Sequence, residues 1–488
     1  MDKEEKLQLT NITKIDEFKI IFEKFIFGKE LDFGEKTYIL SIAILAIKVY
    51  EKNTKKKSYL EFAYYIILNY AIKYNDYKPL YDFSVEFGFF PVVNEILNHN
   101  LIEKKIKDVF TKVAIDKFNN NSYIETLQQY NMKKSIDIGE KELAIIAPTS
   151  FGKSEYIIEH IKISRNTKHR IAIIVPSKSL LVQTYNMIKE NVNDMKIIYH
   201  DEMFDENDDR FVAVLTQERA LRILDNKNIY FDIIYIDEAH NLFRRDSRSI
   251  LLTRLLRINK LRNPNTQIIY LSPLINEAQK LLLDNEQFIE EKKIDINLKH
   301  PEFILKDNRG EFLYNRYSNK FYKTQTKQEY YINYIIDHSL NKNFLYLRNP
   351  RDIESFVDEF INYLPDIELD RNLLDLIESL QNEIHKEYWM IKLIKKGVIY
   401  LHGKIPDILK EYLEHNFKKH PALKYLVANH VILEGINLPI DNLFILHVYS
   451  LKPKDAINLI GRVNRLNYIF GKEINNFKKI NSESLFCG

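Results

Sequence analysis

Hydrophobic residues recur at every third or fourth position through the first 117 residues, which predicts a region built of helices. The predicted helices are Phe18–Phe27, Thr37–Val49, Tyr59–Ile72, Pro91–Leu97 and Ile106–Ile115. We find no repeat and no chemical motif in this stretch. We therefore interpret residues 1–117 as a helical accessory domain, and the alternative is a platform for a protein partner.

The pattern changes at residue 118, where apolar strands begin to alternate with amphipathic helices, as in parallel α/β folds. The predicted strands are Leu143–Ile146, Ile171–Val175, Lys196–Tyr199, Phe211–Leu215, Phe231–Ile236 and Gln267–Leu271. We assign residues 118–283 to a first lobe and residues 329–470, where the alternation resumes, to a second. Residues 284–328 are charged and tyrosine-rich, which indicates a connector with short antiparallel strands. The Lys- and Asn-rich residues 471–488 are expected to be a frayed tail.

Composition supports a protein of several domains. The 488 residues are 45% hydrophobic, enough for two or three cores, and the net charge is only +3. The single cysteine, Cys487, excludes a disulfide framework and a cysteine-rich metal site, and suits a reducing cytoplasm. The most apolar stretches, Tyr38–Tyr50 and Phe62–Ile72, are too short and interrupted to span a bilayer, and no signal peptide precedes the first helix. We expect a soluble, cytoplasmic protein.

The first candidate for chemistry follows the strand Leu143–Ile146, where residues 147–154 read Ala-Pro-Thr-Ser-Phe-Gly-Lys-Ser. A loop that ends in Gly-Lys-Ser and opens a helix cradles phosphate with its backbone amides. In this loop Lys153 is expected to neutralise β- and γ-phosphate charge, and Ser154 to hold Mg²⁺. The predicted nucleotide-binding residues are Thr149, Ser150, Phe151, Gly152, Lys153 and Ser154.

A second candidate follows the strand Phe231–Ile236, which ends in the adjacent carboxylates Asp237 and Glu238. Hydrolysis of ATP needs one carboxylate for the metal and another to orient the attacking water. Two strand-ending motifs in this order predict an enzyme that hydrolyses ATP with Mg²⁺. We expect Asp237 to hold the metal together with Ser154, and Glu238 to position the water.

With these two motifs the chain resembles the superfamily 2 helicases of the DEAD/DEAH-box type, and the resemblance covers roughly residues 120–470. It implies two RecA-like lobes. Residues 458–465, Asn-Leu-Ile-Gly-Arg-Val-Asn-Arg, resemble motif VI. That motif implies two arginines, Arg462 and Arg465, on one face of a helix that reaches across the cleft to stabilise the transferring phosphoryl group.

The remaining motifs of the family are matched more loosely or in part. Residues 271–274, Leu-Ser-Pro-Leu, stand where motif III usually reads Ser-Ala-Thr, and Ser272 with His240 of the Asp-Glu-Ala-His sequence is expected to couple the two activities. Residues 427–439 resemble motif V, which implies that Gly435 and Asn437 line the nucleotide. The loops that resemble the nucleic-acid motifs supply the expected strand contacts, which are Pro176, Lys178, Thr216, Arg351, His402 and Asn429.

Many superfamily 2 proteins read the adenine with a glutamine upstream of the phosphate loop. Gln129 lies ten residues before Gly139, at the family's usual spacing from a glycine turn. Gln129 is therefore the candidate for adenine recognition. A solvated glutamine on a helix is an equal alternative.

The Tyr-Leu-His-Gly and Glu-Gly-Ile-Asn-Leu-Pro segments look most like the superkiller-type helicases, which move 3′ to 5′. The helical N-terminus and the phosphate loop also look like bacterial anti-phage defence helicases such as the helicase subunit of Hachiman. An ATP-dependent helicase or translocase on DNA or RNA is the first hypothesis. The alternative is a nucleic-acid-stimulated ATPase sensor that signals to a partner effector without processive unwinding. The complete set of catalytic residues argues against a third reading, an inactive scaffold.

Overall fold

The protein is described by a computed structural model. The described residues are 12–120, 123–135, 142–148, 151–243, 246–275, 278–281, 288–294, 297–325, 330–429, 438–470 and 483–487. Within them an N-terminal helical domain is followed by two lobes, each built on its own β-sheet. The predicted fold class, α/β with a helical N-terminal domain, is confirmed.

The N-terminal domain consists of six helices packed around an aromatic-rich core. They are α1 (Asp16–Ile26), α2 (Phe33–Lys52), α3 (Lys57–Tyr74), α4 (Lys78–Glu86), α5 (Phe90–Asn98) and α6 (Ile106–Asp116). Asp32 caps α2, because its carboxylate accepts a 2.8 Å hydrogen bond from Glu35 N while its own amide donates to Glu35. The helix α4 was not predicted, since its residues 81–86 alternate between apolar and polar, which is the pattern of a strand.

A short hairpin and a helix connect this domain to the first lobe. The hairpin pairs β1 (Asn119–Asn120) with β2 (Tyr123–Ile124), and α7 (Leu127–Lys134) follows directly. Thr126 begins α7 with a capping box, in which its hydroxyl and the Gln129 side chain satisfy each other's backbone amides.

The first lobe contains a seven-stranded sheet in which all neighbouring strands are parallel. In spatial order its strands are β5 (Lys196–Ile198), β6 (Phe211–Leu215), β4 (Arg170–Ile174), β7 (Ile233–Ile236), β8 (Gln267–Ser272), β3 (Glu142–Ile146) and β9 (Glu290–Lys293). Its helices are α8 (Lys153–Ser164), α9 (Lys178–Asn191), α10 (Gln217–Ile223) and α11 (Ser247–Arg262). Apolar clusters cover both faces, which explains why the inner strands are hydrophobic runs, whereas the edge strand β9 reads Glu-Glu-Lys-Lys. All six predicted strands are confirmed.

The second lobe contains an eight-stranded sheet that is parallel except at one edge. In spatial order its strands are β12 (Lys320–Gln325), β11 (Gly310–Asn315), β10 (Glu302–Asp307), β17 (Glu483–Cys487), β16 (Asn442–Ile445), β13 (Asn343–Tyr346), β15 (Tyr425–Ala428) and β14 (Val398–Leu401). Its helices are α12 (Tyr331–Asp337), α13 (Pro350–Phe360), α14 (Arg371–Glu383), α15 (Trp389–Ile394), α16 (Asp407–Lys419), α17 (Pro453–Arg462) and α18 (Leu466–Ile469).

The connector contains the expected antiparallel strands, but they extend the second sheet instead of standing between the lobes. The strands β10, β11 and β12 pair antiparallel, while β9 joins the first sheet beside β3. Residues 483–487, expected to be frayed, form β17 and bridge β10 to β16 by parallel pairing on both sides. The pairing of β17 with β10 links segments that lie more than 150 residues apart in sequence, and no local pattern predicts it.

The N-terminal domain packs against the rest of the protein through residues of the connector and of the second lobe. Leu298 of the connector and Leu466, Ile469 and Phe470 of the second lobe are buried in the core of the helical domain. Among the described helices, none combines the length and apolar character that crossing a bilayer requires.

Candidate active site

The phosphate loop joins β3 to α8 with glycine at the one position that requires it. Gly152 caps α8 in the left-handed conformation, with φ of 85°, which a residue with a side chain adopts only with strain. Lys153 begins the helix, and its ammonium donates to Ala147 O over 3.3 Å, so it curls back over the loop. Ser154 is exposed in the first turn. Thr149 and Ser150 lie outside the described residues.

The two carboxylates follow β7 directly. Asp237 N donates to Ile174 O over 3.0 Å, which extends the ladder between β7 and β4 by one residue. Glu238 has φ of 51°, an uncommon conformation for a residue other than glycine. Its amide donates to Asp237 Oδ1 over 2.9 Å, so the two carboxylates diverge from a fixed turn.

Charged groups from both lobes affect the pKa of Asp237, which lies on this turn. Burial, with the neighbouring Glu238 charge, raises the pKa of Asp237 to about 6, while Lys153 and Arg462 act in the opposite direction. Lys153 belongs to the first lobe and Arg462 to the second. The carboxylate therefore lies within the electrostatic reach of cations from both sides of the cleft.

The arginines of motif VI are placed differently from the prediction. The helix α17 ends at Arg462, Val463 is extended, and Asn464 has φ of 44° before Arg465 begins the next short helix. The two arginines therefore lie on a turn and not on one face of a helix, which corrects that expectation. The turn ends the helix because Val463 leaves it to form a bridge with Ile440.

A cavity of about 210 Å³ opens between the phosphate loop and this turn. Gly152, Lys153 and Ser154 line one side, and Arg465 lines the other. Pro91 of the helical domain completes the wall. Three regions of the chain therefore meet around one space beside the loop.

Gln129 also lines this cavity. It is 5% exposed, and its Nε2 donates to Phe151 O in the phosphate loop over 3.2 Å. The alternative of a solvated helix glutamine is therefore excluded. Recognition of adenine by Gln129 remains a prediction.

A polar network that the sequence did not predict surrounds Glu155, in the first turn of α8 directly after the phosphate loop. Glu155, directly after Ser154, accepts hydrogen bonds from Tyr123 OH, from Lys133 Nζ over 2.8 Å and from Asn120 Nδ2 over 3.0 Å. The ammonium of Lys133 also contacts Glu125. The sequence gives little indication of this network, because Asn120, Tyr123 and Lys133 precede Glu155 by 22 to 35 residues and belong to no motif.

The predicted coupling residues connect the carboxylate turn to the end of β8. His240 Nδ1 lies 3.1 Å from Ser272 Oγ and 3.2 Å from Glu238 Oε2, and both His240 and Ser272 are buried. Ser272 Oγ also accepts from Leu274 N over 3.1 Å. Ala147 N donates to Ser272 O over 3.2 Å, so the same residue also holds the start of the phosphate loop.

The predicted nucleic-acid contacts of the first lobe lie together near strand ends. Pro176 and Thr216 are half-buried, and Lys178 is exposed at the start of α9. Lys178 Nζ lies 3.3 Å from Asp407 Oδ2 of the second lobe, so this lysine bridges the cleft.

In the second lobe only one of the three predicted contacts is exposed. Arg351 lies at the surface in the first turn of α13. His402 is buried. Its Nδ1 accepts a hydrogen bond from Lys404 N over 3.2 Å, and its Nε2 lies 3.2 Å from the carboxylate of Glu354. Asn429 is buried after β15. A surface contact by His402 or Asn429 therefore lacks support in this structure. Gly435 and Asn437 lie outside the described residues.

The donors around the cavity fit a metal-bound nucleotide. Mg²⁺ prefers oxygen ligands and is held in proteins by one or two carboxylates together with substrate phosphates. Asp237 offers a buried carboxylate and Ser154 an exposed hydroxyl, beside a helix N-terminus that favours anions. These residues would hold the metal, which when bound neutralises phosphate charge.

Comparison with known families agrees with this geometry. The family described as DEAD/DEAH box helicase matches residues 126–282, and the helicase conserved C-terminal domain matches residues 371–467. Together they account for just over half of the chain. The chain belongs to the DEAD/DEAH box helicases. The two domain types are those of ATP-hydrolysing enzymes that bind nucleic acid.

The helicase is also similar to individual proteins. It is 22% identical over 385 residues to Anti-bacteriophage protein B of Escherichia coli (strain K12), which covers 75% of the chain. The chain spans about half, 49%, of the length of that relative.

Two solved structures of Saccharomyces cerevisiae Dbp5 variants are also similar. The variant bound to RNA and ADP BeF3 has 12% identity and a TM-score of 0.48, covering 83% of this chain and 88% of that one. The variant bound to Gle1 and IP6 has 14% identity and a TM-score of 0.46, covering 71% and 78%.

Proposed function

We propose that this helicase couples ATP hydrolysis between its two lobes to 3′ to 5′ movement along a DNA or RNA strand in bacterial anti-phage defence. One observation carries the proposal. Lys153 of the first lobe and Arg465 of the second line one cavity, and the charges of Lys153 and Arg462 both act on the carboxylate of Asp237. Opening or closing such a cleft changes both the hydrolytic site and the grip on a strand that lies across the lobes.

The roles of the residues follow from their positions. Lys153 and the amides before α8 would hold the β- and γ-phosphates, while Ser154 and Asp237 would hold Mg²⁺. Glu238, fixed by its left-handed turn, would orient the attacking water. Arg462 and Arg465 would stabilise the charge that develops on the transferring phosphoryl group.

Two further parts of the proposal rest on similarity. The defence role is supported by the likeness to Anti-bacteriophage protein B, of which the chain spans about half. The polarity is supported by the superkiller-like segments at residues 400–403 and 434–439.

The test of hydrolysis is steady-state ATP turnover with no polymer, single-stranded DNA, duplex DNA and single-stranded RNA. Stimulation by one polymer is expected, and both Lys153→Ala and Glu238→Gln should abolish it. Lys162→Ala is a matched control, because this lysine lies on the same helix and pairs at the surface with Glu159. Background turnover with every polymer would overturn the proposal.

A second candidate function is a nucleic-acid-stimulated sensor that signals to a partner protein. The observation in its favour is an unusual face of α6. Ile106, Val109, Phe110 and Val113 are 60–79% exposed and recur at helical spacing, while the opposite side is held by Asp108, which accepts from Tyr81 OH over 2.7 Å. We define these four apolar side chains as the α6 face.

The charges around the α6 face specify the kind of partner. Five exposed lysines outnumber the two exposed carboxylates, Glu103 and Asp116, around this face; the lysines are Lys104, Lys105, Lys107, Lys112 and Lys117. We propose that the occupant is an amphipathic helix of a partner protein with acidic residues beside its apolar stripe.

Two experiments separate the candidates. Strand-separation assays on duplexes with a 3′ or a 5′ overhang should show unwinding from the 3′ overhang, whereas stimulated hydrolysis without unwinding would favour the sensor. For the α6 face, an acid-flanked amphipathic peptide should bind in fluorescence anisotropy, and Phe110→Asp should abolish binding. Equal binding of a lysine-flanked peptide, or dimerisation of the helicase through this face, would contradict the proposed partner.

A further inference from the structure

A buried lysine of the connector holds the turn that carries the arginines. Lys299 is 5% exposed, and its ammonium donates to Gly461 O over 3.0 Å and to Val463 O over 2.6 Å. These two carbonyls stand immediately before and after Arg462. The ammonium therefore fixes the peptide group before Arg462 and the one between Val463 and Asn464.

The ammonium of Lys299 supplies hydrogen-bond donors to carbonyl groups at the end of α17. The carbonyls in the last turn of a helix have no partner within the helix, and a cation there is favourable. The helix α17 ends at Arg462 and the chain becomes extended at Val463. Lys299 supplies donors at the point where the helical hydrogen bonds stop.

The charged form of Lys299 is disfavoured by its surroundings. Burial and the nearby Arg465 charge lower the pKa of Lys299 to about 7. A lysine beside an arginine in a buried site is unfavourable unless its hydrogen bonds compensate. The two carbonyls provide that compensation, so the contact depends on an accurate fit.

The helical domain holds the residues on either side of Lys299. Tyr64 of α3 donates to Leu298 O over 3.0 Å. The next residue of α3, Tyr65, packs its ring against His300 with centroids 4.7 Å apart, and its hydroxyl accepts from Asn315 over 2.8 Å. One helix of the N-terminal domain thus fixes the connector immediately before and after the lysine.

We propose that Lys299 is a positioning residue that holds Arg462 and Arg465 in place for hydrolysis, and that α3 makes the helical domain part of this arrangement. The inference rests on the proposed hydrolysis of ATP. Lys299 acts through the arginine turn, so its loss should affect the transition state and leave the binding of ATP largely intact.

The chain offers a matched control in Lys342. This lysine is also buried, and it donates to Phe417 O in the last turn of α16 and to His420 O and Leu423 O beyond the end of that helix. It has the same chemistry as Lys299, but its acceptors belong to the interior of the second lobe. A general effect of removing a buried lysine would appear in both variants.

The first experiment compares kcat and KM for ATP in Lys299→Met and Lys342→Met, with folding checked by circular dichroism. Lys299→Met should lower kcat about 100-fold with KM within about threefold, whereas Lys342→Met should keep kcat within about threefold. Tyr64→Phe keeps the ring and removes only the hydroxyl, and it should lower kcat by about fivefold, the equivalent of one hydrogen bond. Equal losses in the two lysine variants would overturn the proposal.

A double-mutant cycle tests whether Lys299 acts through the arginines. In an Arg462→Ala, Arg465→Ala background, Lys299→Met should cause no further loss of kcat, because the groups it positions are gone. A further loss equal to that in the wild-type background would contradict the positioning role.

A binding measurement separates this inference from the proposed function. ADP with aluminium fluoride mimics the transferring phosphoryl group, and Lys299→Met should weaken its binding about tenfold relative to ADP alone. Unchanged relative affinity would overturn the role of Lys299 even in an active enzyme. Absence of hydrolysis in the wild type, with selective weakening in Lys299→Met, would instead contradict the proposed function alone.

Discussion

The two halves of the nucleotide site are built in different ways. In the first lobe the phosphate loop and the carboxylate turn are held by contacts inside that lobe, such as Ala147 N to Ser272 O at 3.2 Å and Asp237 N to Ile174 O at 3.0 Å. In the second lobe the arginine turn is held from inside by Asn464 N, which donates to Ile440 O over 2.8 Å. It is also held from outside, by Lys299 of the connector and by the core of the helical domain.

This difference indicates where hydrolysis can be regulated. The first half is completed by contacts within residues 118–283, from the sheet and from the hairpin and α7 that precede it. The second half requires two further regions of the chain. A ligand or partner of the helical domain could thus change the catalytic rate without contacting the nucleotide.

The largest expected effect concerns the arginines themselves. Arg462→Ala or Arg465→Ala should lower kcat for ATP about 10³-fold, because the lost charge acts on the transferring phosphoryl group. Steady-state kinetics should show a much smaller change in KM. Arg371→Ala, an exposed position on α14 of the same lobe, is the control. An effect confined to KM would mean that the second half binds ATP and does not act in the chemistry.

The next effect tests whether the second lobe's interior is separate from its catalytic edge. Lys342→Met leaves three carbonyls without their donor and should lower the free energy of unfolding by about 3 kcal/mol. The single tryptophan, Trp389, lies on α15 of this lobe, so its fluorescence during urea unfolding reports the change. A wild-type urea midpoint in this variant would show that the buried contact contributes no stability.

The next effect is a loss of stability of the first lobe at low pH, caused by the buried side chain of His160. Burial, assisted by the charge of Lys292, lowers the pKa of His160 to about 4. The folded state then binds fewer protons than the unfolded state between pH 6.5 and 4, so stability is lost as the pH falls through that range. The loss from this group between pH 6.5 and 5 should be about 2 kcal/mol.

Amide hydrogen exchange in β7 measures this loss, because Tyr235 of that strand hydrogen-bonds to His160. The variant His160→Gln has no imidazole to titrate and should lose less stability over the same range. An identical pH dependence in both proteins would assign the acid sensitivity to other groups.

The smallest expected effect concerns the link within the first half. Ser272→Ala removes the hydroxyl that faces His240 and accepts from Leu274 N. The loss of about 1 kcal/mol of hydrogen bonding should lower nucleic-acid-stimulated hydrolysis about fivefold, and more than basal hydrolysis. Equal reductions of both rates would show that Ser272 supports the site as a whole and does not couple it to the strand.

Much of the fold was predictable because its signals are local. The six predicted strands of the first lobe are short apolar runs, and the loop at Gly152 is identified by its residue types. The helix α4 was missed because its residues 81–86 alternate between apolar and polar, as in a strand. The strand β17 was missed because this interior strand of five residues gains its partners from other segments of the chain.

The candidate site was predictable only in part. The sequence identified Lys153, Asp237 and Arg462, and in the structure the charges of Lys153 and Arg462 both act on the carboxylate of Asp237. It also suggested that the two arginines share a helix face and that His402 lies at the surface. Both expectations failed because a spacing of three residues does not reveal where a helix ends, and a polar residue after a strand can be buried by its own lobe.

The sequence by itself determined the chemistry, since a phosphate loop and paired carboxylates are set by residue types that stand next to one another. Only the tertiary structure decided what holds the arginine turn. Lys299 and Gly461 are 162 residues apart, and Tyr64 and Leu298 are 234 apart. Contacts over such separations are created by the packing of whole domains, and neither periodicity nor local motif encodes them in a single sequence.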